Sequence, residues 1–371
     1  SNRVYQMRYH IYENTRYDRE KEQSVPYAWT LSWNVYTNSP DGYNQAKIAG
    51  QEKKFALYSV AFYNMENLFD TIHDEGKNDY EYLPNGTNQW NTMKYKAKLK
   101  NMSEILSLLS TDKLPMGPAI IGVSEIENYR VLEDILKQPA LADRGYQYVH
   151  YEGEDQRGVD CAFFYNPKLF ELTNSKLVPY VYINDTIHKT RGFLIASGNI
   201  AGEKMHFIVN HWPSRAAASP ARERAGEQVR AIKDSLLRED SAAKIVIMGD
   251  MNDDPMDKSM AVALGAKRKP ADVGPTDLYN PWWDTLKKGY GTLMYKGKWN
   301  LFDQIVFTGN LLGTDRSTLK FYKHEIFRRD FMFQKEGKYK GYPKRTQAGG
   351  VWLNGYSDHL PTIIYLIKEI K

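Results

Sequence analysis

The sequence predicts an α/β protein, and three observations carry that prediction. Short apolar runs rich in Val, Ile and Phe alternate with longer segments whose apolar residues recur at helical spacing. No internal repeat or low-complexity tract breaks the alternation. Finally, strand after strand ends in carboxylates, amides or histidine, as expected where strand ends line a crevice.

Taken in order, the residues before Phe55 are rich in tyrosine and charge ("NTRYDREKEQ", "YAWTLSWNVY") and lead into the turn-rich "NSPDGYNQ". This predicts a strand-bearing accessory over residues 1–54 and a main domain over 55–371. "FALYSVAFY" then reads as a strand, "MKYKAKLKNMSEILSLLS" as a helix and "PAIIGVSEI" as a strand. "VLEDILKQPAL" reads as a helix, "GVDCAFFY" and "KMHFIVNHW" as strands, and "ARERAGEQVRAIKDSLLRED" as a helix. "KIVIMGD", "NLFDQIVFTG" and "LPTIIYLIKEI" supply the remaining strands.

Composition bounds the function. With 371 residues, 42% of them hydrophobic, the chain can bury a large core, which excludes wholesale disorder. The single cysteine, Cys161, lies inside "DCAFFY", so no intrachain disulfide forms and a buried inert thiol is expected. Fifty basic against 45 acidic residues leave a net charge of +5, a weak lean toward anionic partners. No apolar stretch is long enough to span a bilayer, so a soluble protein is expected, and a monomer is expected as well. Ser1-Asn2-Arg3 is not a signal peptide and reads as a processed or engineered end, which leaves the compartment open, prior removal of an export signal included.

The strand ends carry the chemistry. "KIVIMGDMNDDP" places Asp250 and Asn252 two residues apart past a buried run, on one side if the chain stays extended. Asp253 and Asp254 read more simply as turn and cap residues. Asn64, Glu66 and Asn67 end the first strand, Glu125 ends "IIGVSEI", and Asn210, His211 and Arg215 follow "FIV". Asp303 sits within "NLFDQIVF", and Asp358 and His359 precede the last strand. Each alone suits a cap or a satisfied core polar group. Together they suit a hard divalent cation, acid/base groups and donors to an anionic transition state. Structural zinc and nucleotide-loop chemistry are excluded, since neither a cysteine set nor a Gly-rich phosphate loop occurs.

"NMENLFD", "SEIEN", "RGVDCAFFYNP", "NHWPSR", "IVIMGDMNDDP", "FDQIVF" and "SDHLP" occur in the order of the endonuclease/exonuclease/phosphatase superfamily, and most resemble its bacterial DNase-I-like branch. The resemblance covers Phe55 to the C-terminus. It implies a four-layered α/β/β/α sandwich of two mixed β-sheets with the active site at one rim, and a Mg²⁺-dependent phosphoesterase, with Mn²⁺ or Ca²⁺ as alternatives. Carried over by motif, Glu125 resembles the principal metal ligand, with Asn64 and Asp358 near the ion and Glu66 behind them. Asp250 would orient or deprotonate the attacking water, and Asn252 would donate to a phosphoryl oxygen. His359 would meet the phosphate with its tautomer set by Asp303, and His211 would be a general acid. Asp160 would orient His211, and Asn64, Arg157 or Arg215 would contact phosphate, Arg215 being equally readable as a surface ion-pair partner.

Departures narrow this. His211 stands where abasic-site endonucleases carry another pattern, and one cysteine excludes the disulfides of secreted animal DNases. "LSWNVY" mimics the first strand motif, but Asn34 has no acidic partner after it, so Asn64 is preferred. A phosphodiester substrate is expected, a DNA or RNA endonuclease or exonuclease being favoured. An inositol-phosphate phosphatase, a sphingomyelinase-like phosphodiesterase and a catalytically silent nucleic-acid- or protein-binding relative are the alternatives. The lysine- and tyrosine-rich "NPWWDTLKKGYGTLMYKGKW" and "FQKEGKYKGYPKRTQ" read either as base-stacking, phosphate-holding surface or as packed loops.

Overall fold

The computed structural model describes residues 30–32, 52–182 and 189–370. In chain order its first strands are β1 (Thr30–Ser32), β2 (Glu52–Leu68), β3 (Ile120–Ile126), β4 (Gln147–His150), β5 (Asp160–Tyr165), β6 (Phe170–Val178), β7 (Phe193–Ile200), β8 (Glu203–His211) and β9 (Lys244–Asp250). Then come β10 (Ala266–Lys267), β11 (Leu278–Tyr279), β12 (Leu293–Tyr295), β13 (Lys298–Asn300), β14 (Asp303–Thr308), β15 (Lys320–Ile326), β16 (Gln347–Ala348), β17 (Val351–Trp352) and β18 (Thr362–Ile370). The α-helices are α1 (Thr92–Leu108), α2 (Tyr129–Leu136), α3 (Ser219–Glu239) and α4 (Trp283–Lys287).

Two large mixed sheets form. The first runs β15-β18-β2-β3-β5-β4, with β1 added on β2, and the second runs β10-β11-β14-β9-β8-β7-β6. Each holds a parallel pair joined through a helix: β2 and β3 through α1, and β8 and β9 through α3. The two helices start differently. The Asn91 side chain accepts from the N–H of Lys94 before α1, and Pro220 occupies the first turn of α3.

Side-chain alternation shows how the layers stack. On β9, Val246 and Met248 join the core between the sheets, whereas Ile245 and Ile247 pack with Ala225 and Val229 of α3. β14 repeats this, with Ile305 and Phe307 inward and Val306 toward α3. The sheets pack closely at Gly122 of β3, where a Cβ would lie 2.6 Å from Sδ of Met248 on β9, so a larger residue there would displace that side chain. The expected α/β/β/α sandwich is thus the observed one.

The same period aims the site. Asp250 follows Met248 by two, Asp303 precedes Ile305 by two and His211 follows Val209 by two. All three therefore point into the cleft between the sheets at one rim. Register sets them side by side, His211 beside Asp250 on β8 and β9, and Asp303 beside Asp250 on β14.

Several elements were not expected from sequence. β6 and β15 are largely half-buried or exposed and carry charge, as suits sheet margins, so they lack an apolar signature. The helix read over "VLEDILKQPAL" ends at Leu136, before Pro139. Of the accessory expected over residues 1–54, Thr30–Ser32 pairs antiparallel with β2, and Asn34 lies outside the described residues.

Candidate active site

The first sheet supplies Asn64 and Glu66 from β2, Glu125 from β3, and Asp358 and His359 from the turn before β18. The second supplies His211, Asp250 and Asp303. Asn64 bridges the two: its Nδ2 donates to Oε2 of Glu125 at 2.6 Å and to Oδ2 of Asp250 at 3.0 Å. Oδ1 of Asn64 accepts from the backbone N–H of Glu66 at 2.9 Å, which fixes the amide's orientation.

Left-handed backbone places several of these side chains. Glu66 (φ 43°), Asn67 (φ 51°), Glu125 (φ 58°) and Asn252 (φ 51°) all have positive φ, a conformation that non-glycine residues hold only when their surroundings impose it. The pairing of β2 with β3 slips between Asn64 and Leu68, and that of β3 with β5 between Val123 and Ile126. These bulges turn Glu66 and Glu125 out of regular alternation beside the cleft. Past β9, the backbone N–H of Asn252 donates to Oδ1 of Asp250 at 3.0 Å, and its Nδ2 donates to the carbonyl of Trp212 at 2.8 Å.

His359 is held from three directions. Its Nδ1 lies 2.7 Å from Oδ2 of Asp303, its N–H donates to Oγ of Ser357 at 3.0 Å, and that hydroxyl donates to the carbonyl of Asn64 at 2.7 Å. Its Nε2 faces Oδ2 of Asp250 at 3.7 Å and Oδ1 of Asp358 at 3.8 Å. Asp303 also accepts from the hydroxyl of Thr292. Asp358 donates its backbone N–H to Glu66, and Arg345 spans both, with Nε 3.3 Å from Oε1 of Glu66 and Nη2 3.6 Å from Oδ2 of Asp358.

The electrostatics follow from packing carboxylates together in a largely buried rim. Burial raises the Asp250 carboxyl to about 7 despite the opposing pull of His359, and burial with Asp358 raises Glu66 to about 8. Burial opposes charge on His359, but Asp303, Asp358 and Asp250 outweigh it and hold that imidazole well above its ordinary value. His211 goes the other way, pushed well below its ordinary value by burial and by Arg191 and Arg157. Its Nε2 lies 3.5 Å from Oδ2 of Asp250, and its buried Nδ1 has no partner. A neutral imidazole donates a hydrogen bond from one ring nitrogen and accepts at the other.

The other predicted residues are placed differently. Asp160 does not turn to His211: its Oδ2 lies 2.9 Å from Nε2 of His150, and its Oδ1 accepts from the N–H of Gly153 at 3.0 Å. The hairpin of β4 and β5 brings that histidine to it. Arg215 is drawn into a carboxylate cage, with Nη2 3.0 Å from Asp257 and 3.3 Å from Asp253, and its guanidinium 4.6 Å over Phe302. This is the arrangement of its ion-pair reading. Arg157 is half-exposed, with its Nε 4.0 Å from Asp155.

Sequence reasoning missed Lys98, Thr292, Arg191 and Arg345. Lys98, on α1, is buried, donates to the hydroxyl of Thr346 and to the carbonyl of Tyr356 at 3.0 Å, and is lowered to about 8 by burial. A lysine at helical spacing in "KYKAKLK" carries no signal that distinguishes it from a solvated neighbour.

Among the described residues, two groups bring ligand atoms within 4.8 Å of one another: Glu125, Asp250 and His359, and separately His150, Glu152 and Asp160. The first fits a hard divalent cation. Its donors are mainly carboxylate oxygens crowded against Glu66 and Asp358, and Oδ1 of Asp358 is buried with no hydrogen bond. Nδ1 of His359 is engaged by Asp303, which leaves Nε2 as its free ring nitrogen toward this group.

A sequence profile described as the endonuclease/exonuclease/phosphatase family matches residues 59–368. The chain belongs to this family. Its members are hydrolytic phosphoesterases, generally dependent on a divalent metal. A second profile, described as large polyvalent protein associated domain 34, matches residues 1–63. No curated protein matches. Among solved structures, an endonuclease/exonuclease/phosphatase family protein from Bacteroides thetaiotaomicron superposes with a TM-score of 0.52 at 15% identity, covering 85% of this chain and 96% of that one. Humanized D. rerio TDP2 gives 0.51 at 14% identity, over 84% and 98% of the two chains. The human nocturnin catalytic domain with bound sulfate gives 0.50 at 15%, over 86% and 98%. At such identities the likeness establishes the fold. No helix of the described residues is long and apolar enough to cross a membrane.

Proposed function

We propose that this family member is a Mg²⁺-dependent phosphodiesterase acting on nucleic acid. The observation that supports it best is the convergence of Asn64, Glu125, Asp250, Asp303 and His359 from both sheets on one rim. Glu125 is the leading candidate to hold the metal, with Asp250, Asn64 and Asp358 beside it and Glu66 behind. A bound Mg²⁺ would supply positive charge to the phosphoryl oxygens as negative charge builds there.

The chain's own residues then have separable tasks. Asp250, near neutrality and beside Asn64, is suited to orient and deprotonate a water. Asn252, anchored through Trp212, has an amide hydrogen left to donate to a phosphoryl oxygen. His359, kept protonated by three aspartates, presents Nε2–H to the phosphate, while neutral His211 donates toward the same centre. Residues 1–54 serve as a fold accessory, since none of the site residues precedes Phe55.

A phosphomonoesterase is the second reading, favoured by likeness to a Bacteroides thetaiotaomicron mannosyl-6-phosphatase at a TM-score of 0.50 and 15% identity, covering 83% of this chain and 99% of that one. A panel with and without Mg²⁺ separates the two, comparing plasmid DNA, single-stranded oligonucleotide, RNA, inositol polyphosphate, sphingomyelin, a sugar 6-phosphate and bis(p-nitrophenyl) phosphate. Turnover confined to phosphomonoesters would overturn the nuclease assignment.

A further inference from the structure

The charge of this chain is concentrated in two segments. Residues 287–300 and 328–345 hold eleven Lys and Arg against only Asp330 and Glu336, a net of +9. The whole chain is +5, so all its other residues together are net −4. The structure brings these segments together. The N–H of Gly297, at the tip of the β12–β13 hairpin, donates to the Tyr342 hydroxyl at 2.6 Å, and Trp299 meets the edge of Phe333 at 6.4 Å between ring centres. The loop around Tyr342 is closed on itself by a bridge between Phe333 and Pro343 and by the N–H of Gly341 donating to the carbonyl of Gln334 at 2.9 Å.

This unit is anchored to the active site at both ends. Thr292, just before β12, donates to Asp303, and its carbonyl accepts from the N–H of Leu360 at 2.7 Å. Arg345, just after the loop, reaches Glu66. Away from those anchors Lys296, Lys298, Lys338 and Lys340 are exposed, and among the described residues none of the four pairs with a carboxylate. Tyr295 is 63% and Tyr339 52% exposed, each with a lysine ammonium over its ring, Lys296 at 5.3 Å and Lys338 at 5.4 Å.

We infer that the β12–β13 hairpin and the 333–343 loop form one basic, aromatic ridge that holds single-stranded nucleic acid leading to the catalytic rim. Unpaired lysines track phosphates, and exposed tyrosines next to them offer faces on which bases stack without regard to sequence. The inference rests on the nucleic-acid reading for the identity of the anion, but the ridge binds whether or not the rim cleaves.

The test uses the full chain and a fluorescein-labelled 12-nucleotide DNA single strand, with binding read by anisotropy in EDTA from about 50 to 200 mM salt. The variant K296Q/K298Q/K338Q/K340Q should weaken binding tenfold or more and flatten the slope of log affinity against log salt by about 3, at roughly 0.7 per lost phosphate contact. Y295A/Y339A should weaken binding with the slope unchanged. Hydrolysis of bis(p-nitrophenyl) phosphate, too small to reach the ridge, should stay within about twofold of the parent in both. Unchanged oligonucleotide affinity in the lysine variant would overturn the inference. So would loss of binding to phosphatidylserine vesicles with oligonucleotide binding intact, because the ridge would then face a membrane. If the parent cleaves no nucleic acid yet the lysine variant loses affinity, the activity assignment fails and the ridge stands.

Discussion

Oδ2 of Asp303 lies 2.7 Å from Nδ1 of His359, across the join between the two sheets. Asp303 is fully buried on β14 and His359 sits in the turn before β18, so the contact ties that turn to the opposite layer. With Nδ1 committed to the carboxylate, Nε2 is the atom left to face Asp250.

This pair is expected to act as one unit. Asp303→Asn and His359→Ala should each lower kcat on a common phosphodiester by about 100-fold or more, the usual scale for a positioned acid or base, and the double variant should lose little beyond that. The check is a double-mutant cycle with folding verified by circular dichroism. Losses that simply multiply would show two independent residues.

The pairing was legible because Asp303 interrupts an apolar strand, where an isolated carboxylate is costly. Asp250 was legible for a related reason: strand alternation and a buried run together fix its direction. Glu125 could be picked out as a residue but not as a geometry, since its aim depends on a φ of 58° and a register slip that no local pattern encodes. Asp160 was assigned to the wrong histidine because its partner is chosen by the β4–β5 hairpin, and nothing in "RGVDCAFFY" marks His150. Arg345 and Lys98 were invisible because long-range packing alone distinguishes them from solvated neighbours. The fold was the more legible part, since hydrophobic period is repeated over many residues while a site contact is a single coincidence of two distant ones.

Glu125→Gln should retain the fold and lose most activity. The amide keeps its shape and the contact with Asn64, but removes the negative charge that would hold a divalent ion. Activity titrated against Mg²⁺, with EDTA as the zero point, measures this. A Mg²⁺ dependence identical to the parent's would move the metal elsewhere in the rim.

Lys98 is expected to be a support of the site. It is buried and reaches Thr346 and Tyr356 on the segment that leads to Asp358 and His359. Lys98→Met should cost about 1–3 kcal/mol in urea unfolding, the scale of a buried charged hydrogen bond left unmade. It should also lower kcat, because Glu66 and Asp358 lose a nearby positive charge. A variant as stable and as active as the parent would make Lys98 a spectator.

A pH-dependent stability term should come from His324, away from the rim on β15. Burial, and then Lys323 and Lys288, lower its pKa from 6.5 to about 4, while its Nε2 lies 2.9 Å from the Thr285 hydroxyl and its ring meets the edge of Trp282 at 4.9 Å. The folded state therefore keeps the ring neutral at a pH where the unfolded chain has already bound a proton. The folded pKa being the depressed one, the stabilisation is present above pH 6.5 and is lost as pH falls toward 4, where the loss levels off. The linkage relation puts that loss at about 2 kcal/mol by pH 5. His324→Gln keeps a group able to meet Thr285 and cannot titrate. Urea unfolding of both proteins at pH 7 and pH 5 should therefore show the parent losing about 2 kcal/mol more than the variant, with phosphodiesterase turnover at pH 7 unaffected. Equal losses in the two proteins would mean that His324 is protonated in the folded state, and the burial argument for it would be wrong.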